Sequence, residues 1–146
     1  MSAEHRVYLD TSARAKWCLN EAGSEELARY IQGLDSAVVS SLTQTEVRSL
    51  LARLRRMGNL SHEMESVIDA AFLQDIAEGS LQQCPVEDVR FSDAANLNAR
   101  YPEYPLRTLD ALHLAVARSA QVDAIATADT VMAGAAEAMG FATVRF

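Results

Sequence analysis

The stretch RTLDALHLAVARSA, residues 107–120, is the part of the sequence that says most about the fold. It predicts a helix that is apolar almost all the way round, because leucine, alanine and valine fill most positions from 109 to 117. A helix of this kind belongs in a protein core, sealed from water on most sides. Asp110 nevertheless lies in its first turn, and a buried carboxylate is costly unless a partner or a ligand compensates for it.

The segments around this helix alternate between short apolar runs and helical patterns. The strand candidates are HRVYLD (5–10), SAVVSS (36–41), LQQCPV (81–86), VDAIAT (122–127) and FATVRF (141–146), the last as an edge strand. Such an alternation predicts an α/β fold, a three-layer α/β/α sandwich around a mostly parallel sheet of four to five strands.

The clearest helical stripe begins after the second strand candidate. It runs from Leu42 to about Met57, with apolar residues at i, i+3, i+4 and i+7. Ser41 and Gln44 are predicted to form a capping box at its start. Further helices are predicted over residues 11–21, 24–34, 61–79, 87–101 and 128–140.

Length and composition describe an ordinary globular protein. The 146 residues are 49% apolar and 23% charged, which fits a single domain over residues 1–146. The N-terminus has no secretory signal, and no apolar run approaches the roughly 18 residues of a membrane span, so we expect a cytoplasmic protein without a membrane partner. Cys18 and Cys84 have no metal-ligand spacing and are predicted to be small buried residues.

The formal charge of −7, from 20 acidic and 13 basic residues, argues against a simple basic clamp for nucleic acid. Twelve of the thirteen bases are arginine, however, and Lys16 is the exception. Arginine favours bidentate phosphate and carboxylate contacts. The charge balance therefore leaves the class of partner open.

Four acidic residues lie where predicted strands end or the following helices begin. Asp10 ends the first strand, Glu46 lies on the second turn of the helix after the second strand, Asp110 opens the apolar helix, and Asp129 follows the fourth strand. Each alone has a plain explanation, such as helix capping or a solvated surface. Together they are expected to converge, because right-handed crossovers bring the carboxyl ends of parallel strands to one edge.

Four converging carboxylates would repel each other strongly without a cation. Hard divalent ions held by oxygen ligands and water relieve that repulsion. The sequence therefore predicts a site for Mg²⁺, with Mn²⁺ as a substitute, and leaves open whether one ion or two are bound.

The motifs VYLDTSARAKWCLNE, SSLTQTEVRSLLAR, LRTLDALHLAVA and AIATADTVMAGAAEAMGFATV resemble the successive motifs of the PIN-domain family over nearly the whole chain. The similarity is closest to the small VapC-type toxins of prokaryotic toxin–antitoxin pairs. The combination of LDTS, TxxEV, TLDALHLA and TAD is specific, whereas LDTS alone is a weak signal. The resemblance implies a PIN-like sandwich and a metal-dependent endoribonuclease that hydrolyses RNA phosphodiester bonds.

The resemblance also implies roles for individual residues. The acidic quartet would be Asp10, Glu46, Asp110 and Asp129, with Asp10 and Asp110 as the firmest metal ligands and Glu46 as a ligand or as the proton acceptor of the attacking water. Ser12 and Thr127 match small hydroxyl positions beside the quartet, where they either orient a metal-bound water or only make capping and turn hydrogen bonds.

Several basic and aromatic residues have both a functional and a structural interpretation. The candidates for RNA phosphate contacts are Arg14, Lys16, Arg48 and Arg107, each with a solvated surface position as the alternative. Arg53, Arg55 and Arg56 form a patch that either complements a helix dipole or contacts RNA or an antitoxin. His113 is interpreted as a helix histidine with a satisfied hydrogen bond in preference to a general acid. Packing is preferred to base stacking for Trp17 and Tyr30.

The resemblance implies two protein partners. A cognate VapB-like antitoxin would cover the acidic groove with its C-terminal segment, and the early helices between Ser12 and Leu60 would form a homodimer, within a possible toxin–antitoxin hetero-oligomer. Two alternatives stay open: a PIN-domain nuclease of RNA processing without a toxin role, and a non-catalytic receiver-like domain with an acidic metal pocket. A receiver-like domain needs a phospho-accepting aspartate after the third strand and a suitably placed lysine, and this sequence has neither.

Overall fold

The predicted alternation of strands and helices is confirmed by a computed structural model, which describes residues 6–19 and 22–146 apart from the side chains of Trp17 and Cys18. In chain order the elements are β1 (Arg6–Leu9), α1 (Thr11–Cys18), α2 (Ser24–Gln32), β2 (Ser36–Ser40), α3 (Ser41–Arg56), α4 (His62–Glu78), β3 (Leu81–Cys84), α5 (Asp88–Arg100), α6 (Thr108–Ser119), β4 (Ala124–Thr127), α7 (Thr130–Ala138) and β5 (Ala142–Arg145). The single-domain assignment over residues 1–146 stays a prediction, because it includes residues outside the described ranges.

The five strands form one parallel sheet in the order β3-β2-β1-β4-β5. The segment FATVRF supplies the edge strand β5, as its position in the sequence predicts. The chain winds outward from β1 in opposite directions, toward β2 on one side and β4 on the other. In an open parallel sheet, this reversal creates a crevice beyond the carboxyl ends of the two central strands.

Helices cover both faces of the sheet, because successive strand residues point to opposite sides. Tyr8, Val38 and Ile125 share one core with residues of α5, α6 and α7. Val7 and Leu9 belong to a second core with residues of α1, α2 and α4. The result is the predicted three-layer sandwich.

Helix α6 is buried as its composition predicts, since every residue from 111 to 117 lies in the interior. Leu109 departs from that pattern with 43% exposure, because it lies in the first turn, where the helix emerges from the core. The buried part of α6 holds its first turn in a fixed position at the carboxyl edge of the sheet.

The predicted capping box is wrong by one residue. Helix α3 begins directly at the end of β2, so Ser40 is its N-cap and Thr43, in place of Gln44, completes the capping box. The Thr43 hydroxyl accepts from the backbone N–H of Ser40 at 3.2 Å. For α6, the N-cap is Arg107, and Asp110 at the third position accepts from the backbone N–H of Arg107.

None of the helices that the structure describes has the length and the apolarity needed to cross a membrane. Cys84 is a free thiol that is only partly buried at the end of β3, where it packs against the core beside α5 and α6. The side chain of Cys18 lies outside the described residues.

Helix α7 approaches the loop before α6 closely enough to require glycine. A Cβ atom at Gly134 would lie 2.9 Å from Cε1 of Tyr104, closer than carbon atoms normally pack. We expect Gly134→Ala to lower the free energy of unfolding by roughly 1–3 kcal/mol, because the Tyr104 ring must move. Chemical denaturation measures this change.

Gly33→Ala is the matched control, since the nearest atom to a Cβ there is 3.5 Å away and its backbone is right-handed. Gly134→Ala would instead stabilise the protein, by up to about 1 kcal/mol, if only helix propensity mattered. Stabilisation at Gly134 would therefore contradict the packing argument.

Candidate active site

A cleft of about 420 Å³ lies at the carboxyl edge of the sheet. All four acidic residues of the predicted quartet line it: Asp10, Glu46, Asp110 and Asp129. They come from four places in the chain, after β1, on α3, on α6 and before α7. The structure thus brings together the residues that the sequence predicts to converge.

Asp10 is the most deeply buried member of the quartet, with 4% exposure. Its Oδ1 accepts hydrogen bonds from the Ser12 hydroxyl at 2.6 Å and from the backbone N–H of Ala13 at 2.9 Å, and its Oδ2 accepts from the Thr127 hydroxyl. Burial raises the pKa of this carboxyl, although the three hydrogen bonds oppose the shift. Asp10 therefore caps α1, and burial destabilises its charged form.

Ser12 and Thr127 link Asp10 to the loop between β4 and α7. The Ser12 hydroxyl accepts from the backbone N–H of Ala128 at 2.9 Å, and the Thr127 hydroxyl accepts from that of Asp129 at 3.0 Å. Thr127 therefore makes a turn hydrogen bond, and Ser12 joins two segments that are far apart in the chain. The role of these hydroxyls in orienting a metal-bound water stays a prediction. The same bonds place both hydroxyls directly beside the acidic cleft.

Arg107 forms ion pairs with the two acids at the mouth of the cleft. Its Nε lies 3.3 Å from Oδ2 of Asp110, and its terminal nitrogen lies 3.8 Å from Oδ2 of Asp129. Asp110 also accepts from the backbone N–H of Arg107 at 3.2 Å, while Asp129 Oδ1 caps α7. The Arg107 side chain is 80% exposed, so solvent weakens both ion pairs.

His113 stabilises the negative charge of Glu46. The imidazole Nε2 contacts Oε1 of Glu46, and the Thr11 hydroxyl donates to the same oxygen at 2.8 Å. Partial burial favours the neutral acid, but the hydrogen bond and charge of His113 outweigh it and lower the pKa of Glu46. The sequence interpretation of His113 as a histidine with a satisfied hydrogen bond is confirmed.

The donor chemistry of the cleft suits a hard divalent cation, since carboxylate and hydroxyl oxygens dominate its polar lining. Within residues 6–19 and 22–146, however, no three acidic, histidine or cysteine side chains lie close enough to hold an ion as they stand. Asp110 and Asp129 point to Arg107, and Asp10 points to its hydroxyl partners. The side chains are of the type that binds a hard cation, but they would have to rotate to bring their oxygens around one ion.

The family of this fold follows from one further observation. A family model described as PIN domain matches residues 7–138, which include β1 from its second residue, all of β2, β3 and β4, and all four acids.

The chain belongs to the PIN-domain family.

Several known proteins resemble this chain over almost its full length. Ribonuclease VapC46 of Mycobacterium tuberculosis is 33% identical over an alignment that covers 94% of this chain and 95% of that protein. The crystal structure of M. tuberculosis VapC20, a toxin that cleaves the sarcin-ricin loop, is 22% identical with a TM-score of 0.72, covering 96% of this chain and 99% of the other. VapBC2 of Rickettsia felis, bound to a promoter DNA fragment, is 10% identical with a TM-score of 0.69, covering 97% and 98%. Membership of the PIN-domain family excludes the receiver-like alternative.

The structure corrects the expectation for Arg14, which is buried in this PIN domain with 3% exposure. Its guanidinium pairs with Asp75 at 3.3 Å and lies 4.7 Å from the ring centre of Phe72, so it joins α1 to α4 and is not presented to a phosphate. The sequence could not reveal this, because the partners lie some 60 residues away.

Lys16 and Arg48 also lie outside the cleft lining. The Lys16 side chain lies beside Gly23, with its Cδ 3.7 Å from the position of a Cβ there. Arg48 donates to the buried carboxylate of Glu65 at 2.8 Å, and Arg55 reaches the same residue at 2.8 Å. These arginines join α3 to α4.

Arg53 and Arg107 are the arginines that line the cleft among the described residues. Sequence reasoning placed Arg53 in a patch with Arg55 and Arg56, whereas the structure separates their roles. The available signal was helical spacing, since Arg53 follows Glu46 by seven residues and lies on the same side of α3. Tyr30 packs against Phe146 with ring centres 6.0 Å apart, as the packing interpretation predicts, and Trp17 lies outside the described side chains.

The buried charge of Asp10 generates a stability prediction. Because its pKa is raised, the folded PIN domain binds this proton more tightly than the unfolded chain does, so stability falls as pH rises from about 4 through the raised pKa. Asp10→Asn removes the charge, and we expect it to stabilise the metal-free protein at pH 7 by roughly 0.5–2 kcal/mol. Chemical denaturation in EDTA measures this gain.

The gain should shrink as pH is lowered toward 4, because wild-type Asp10 then becomes protonated. Asp88→Asn is the matched control, since Asp88 is an exposed acid in the first turn of α5 and should give no such gain. A gain for Asp10→Asn that is independent of pH would contradict the assigned cause.

Proposed function

We propose that this protein is a metal-dependent endoribonuclease, the toxin of a toxin–antitoxin pair. The observation that carries the proposal is the convergence of four carboxylates in one cleft of a PIN domain, at the crevice beside the central strands. The similarity to Ribonuclease VapC46 supports RNA as the substrate, since identity reaches 33% over nearly the full length of both chains.

Asp10, Asp110 and Asp129 are the residues that would hold Mg²⁺ or Mn²⁺ in this proposal, with Glu46 as a further ligand. When bound, such a cation activates water and stabilises the charge that develops on the leaving oxygen. Thr127 and Ser12 orient Asp10 through their hydroxyls. The raised pKa of Asp10 supports the assignment, because a nearby cation would relieve the cost of that buried charge.

Glu46 is the best-placed proton acceptor. Its lowered pKa keeps it ionised at neutral pH, and its side chain lines the cleft. It would take the proton of the water that attacks phosphorus, while the bond to the 3′ oxygen breaks. The products are then a 5′-phosphate and a 3′-hydroxyl end.

Arg53 and Arg107 would bind the phosphates of the RNA backbone. They stand at the lining of an otherwise acidic cleft, and arginine suits phosphate through its paired donors. Arg107 is engaged by Asp110 and Asp129 through contacts that are solvent-exposed, and therefore weak enough to exchange for a phosphate.

The first test is Asp110→Asn. The substituted amide keeps an oxygen that can cap α6, so the fold should survive, while the ligand charge is lost. We expect Mg²⁺- or Mn²⁺-dependent RNA cleavage to fall by at least about 100-fold, the equivalent of several kcal/mol of transition-state stabilisation. Cleavage of a labelled RNA and the shift of Tm with Mn²⁺ measure the two effects.

Asp88→Asn again serves as the control, because it neutralises a first-turn acid outside the cleft and should cleave at the wild-type rate. Cleavage that persists in EDTA, or undiminished cleavage by Asp110→Asn, would overturn the metal-dependent mechanism. The Tm measurement shows whether any loss comes from unfolding.

The second test concerns the arginines. Arg53→Gln and Arg107→Gln should each weaken RNA binding across sequences and reduce the salt slope of binding by about 1, because each removes one phosphate contact. The binding of RNA to the Asp110→Asn protein, measured over a range of salt concentrations, isolates this effect from cleavage.

Arg118→Gln is the matched control, since Arg118 is an exposed residue of the last turn of α6, the opposite end from Arg107. It should leave the salt slope unchanged. Equal effects of all three substitutions would mean that net charge, and no specific contact, governs binding.

The toxin assignment implies a cognate VapB-like antitoxin that covers the acidic cleft, and a homodimer formed through the early helices. The discovery of a short neighbouring reading frame that encodes a DNA-binding N-terminus would support this assignment over a role in RNA processing. Co-expression of that frame should abolish RNA cleavage by the purified complex. A persistently active complex favours the RNA-processing alternative.

A further inference from the structure

A chain of hydrogen bonds leads from the core to the acidic cleft. The Tyr8 hydroxyl lies 2.9 Å from the Ser40 hydroxyl and 2.7 Å from Nδ1 of His113. On its other side, Nε2 of His113 contacts Oε1 of Glu46. Tyr8 and Ser40 are 0% exposed and His113 is 3% exposed, so water does not compete for these groups.

The donors in this chain can be assigned from the acceptors. The Glu46 carboxylate only accepts, so Nε2 of His113 must carry the proton. The Tyr8 hydroxyl donates to the Ser40 hydroxyl and lies within hydrogen-bond distance of Nδ1 of His113. Burial raises the pKa of Tyr8, which keeps its hydroxyl protonated as a donor. The polar side-chain atoms of Tyr8, Ser40 and His113 each have a hydrogen-bond partner.

The result at Glu46 is asymmetric. His113 Nε2 and the Thr11 hydroxyl both contact Oε1, whereas Oε2 has no hydrogen-bond partner among the residues that the structure describes. The carboxylate is about a quarter exposed and lines the cleft. One oxygen is therefore anchored to the protein, and the other is left for whatever the cleft binds.

We propose that His113 is a positioning residue, which anchors Oε1 of Glu46 so that Oε2 addresses the acidic cleft in one fixed orientation. The inference rests on the proposed function, since it assigns a task to Glu46. His113 comes from α6, Glu46 from α3 and Tyr8 from β1, so the chain of bonds joins three elements that each contribute to the site. A glutamate without these contacts would sample several rotamers and lose that orientation.

The test is a double-mutant cycle of His113→Leu and Glu46→Gln. In the wild-type background we expect His113→Leu to lower kcat for RNA cleavage and the affinity for Mn²⁺ by roughly 10- to 100-fold, the usual effect of losing a residue that orients a ligand. KM for RNA should change little. In the Glu46→Gln background the same substitution should cost less than about 2-fold, because its target is already altered.

His62→Leu is the matched control, since His62 is an exposed histidine at the start of α4 that contacts Arg55 and lies outside the cleft. Its activity and Mn²⁺ affinity should equal those of the wild type. Tyr8→Phe provides a second route if His113→Leu does not fold, because it preserves the buried ring and removes only the hydroxyl. It should cause a smaller loss in the same direction, again absent with Glu46→Gln.

The outcomes separate the two proposals. An equal loss from His113→Leu in both backgrounds would mean that it acts on the fold or on another group, and would overturn the positioning role, as would an unchanged kcat and Mn²⁺ affinity. A wild-type protein that binds Mn²⁺ without cleaving RNA overturns the proposed function, while the Mn²⁺ cycle still decides the role of His113. A wild-type protein that does not bind Mn²⁺ overturns both.

Discussion

The carboxylate of Asp10 is buried at the end of the central strand, and much of the site follows from the cost of placing a charge there. Ser12, Ala13 and Thr127 supply three hydrogen bonds to its two oxygens. The hydroxyls of Ser12 and Thr127 also accept backbone N–H groups of the loop after β4. A single anion thus joins the two central strands at the point where the chain reverses its winding direction.

The other acids of the cleft are compensated differently, according to their exposure. Arg107 forms ion pairs with Asp110 and Asp129 at the solvent-exposed mouth of the cleft, where such pairs are weak and exchangeable. His113 forms a hydrogen bond with Glu46 from the buried side, where the low dielectric makes such a bond stronger. The site therefore has a fixed interior part and an adjustable outer part, which suits the proposed binding of both a cation and a phosphodiester.

Helix capping and the proposed catalytic role are compatible uses of the same residues in this fold. Asp10, Asp110 and Asp129 each cap or support the start of a helix. The positive end of the helix dipole favours their negative charge, which lowers the cost of assembling them. Capping explains why each carboxylate is tolerated, whereas their convergence in one cleft is the feature that a nuclease site explains.

The sequence by itself determined the order of strands and helices, the burial of α6 and the four acids at the carboxyl edge, because hydrophobic periodicity and the handedness of parallel crossovers are local or general rules. The tertiary structure alone decided the partners of the long polar side chains. Arg14 turned inward to Asp75, Arg53 reached the cleft, and His113 linked Tyr8 to Glu46. These contacts join residues far apart in the chain, and a flexible side chain takes its direction from whichever neighbour the fold brings within reach.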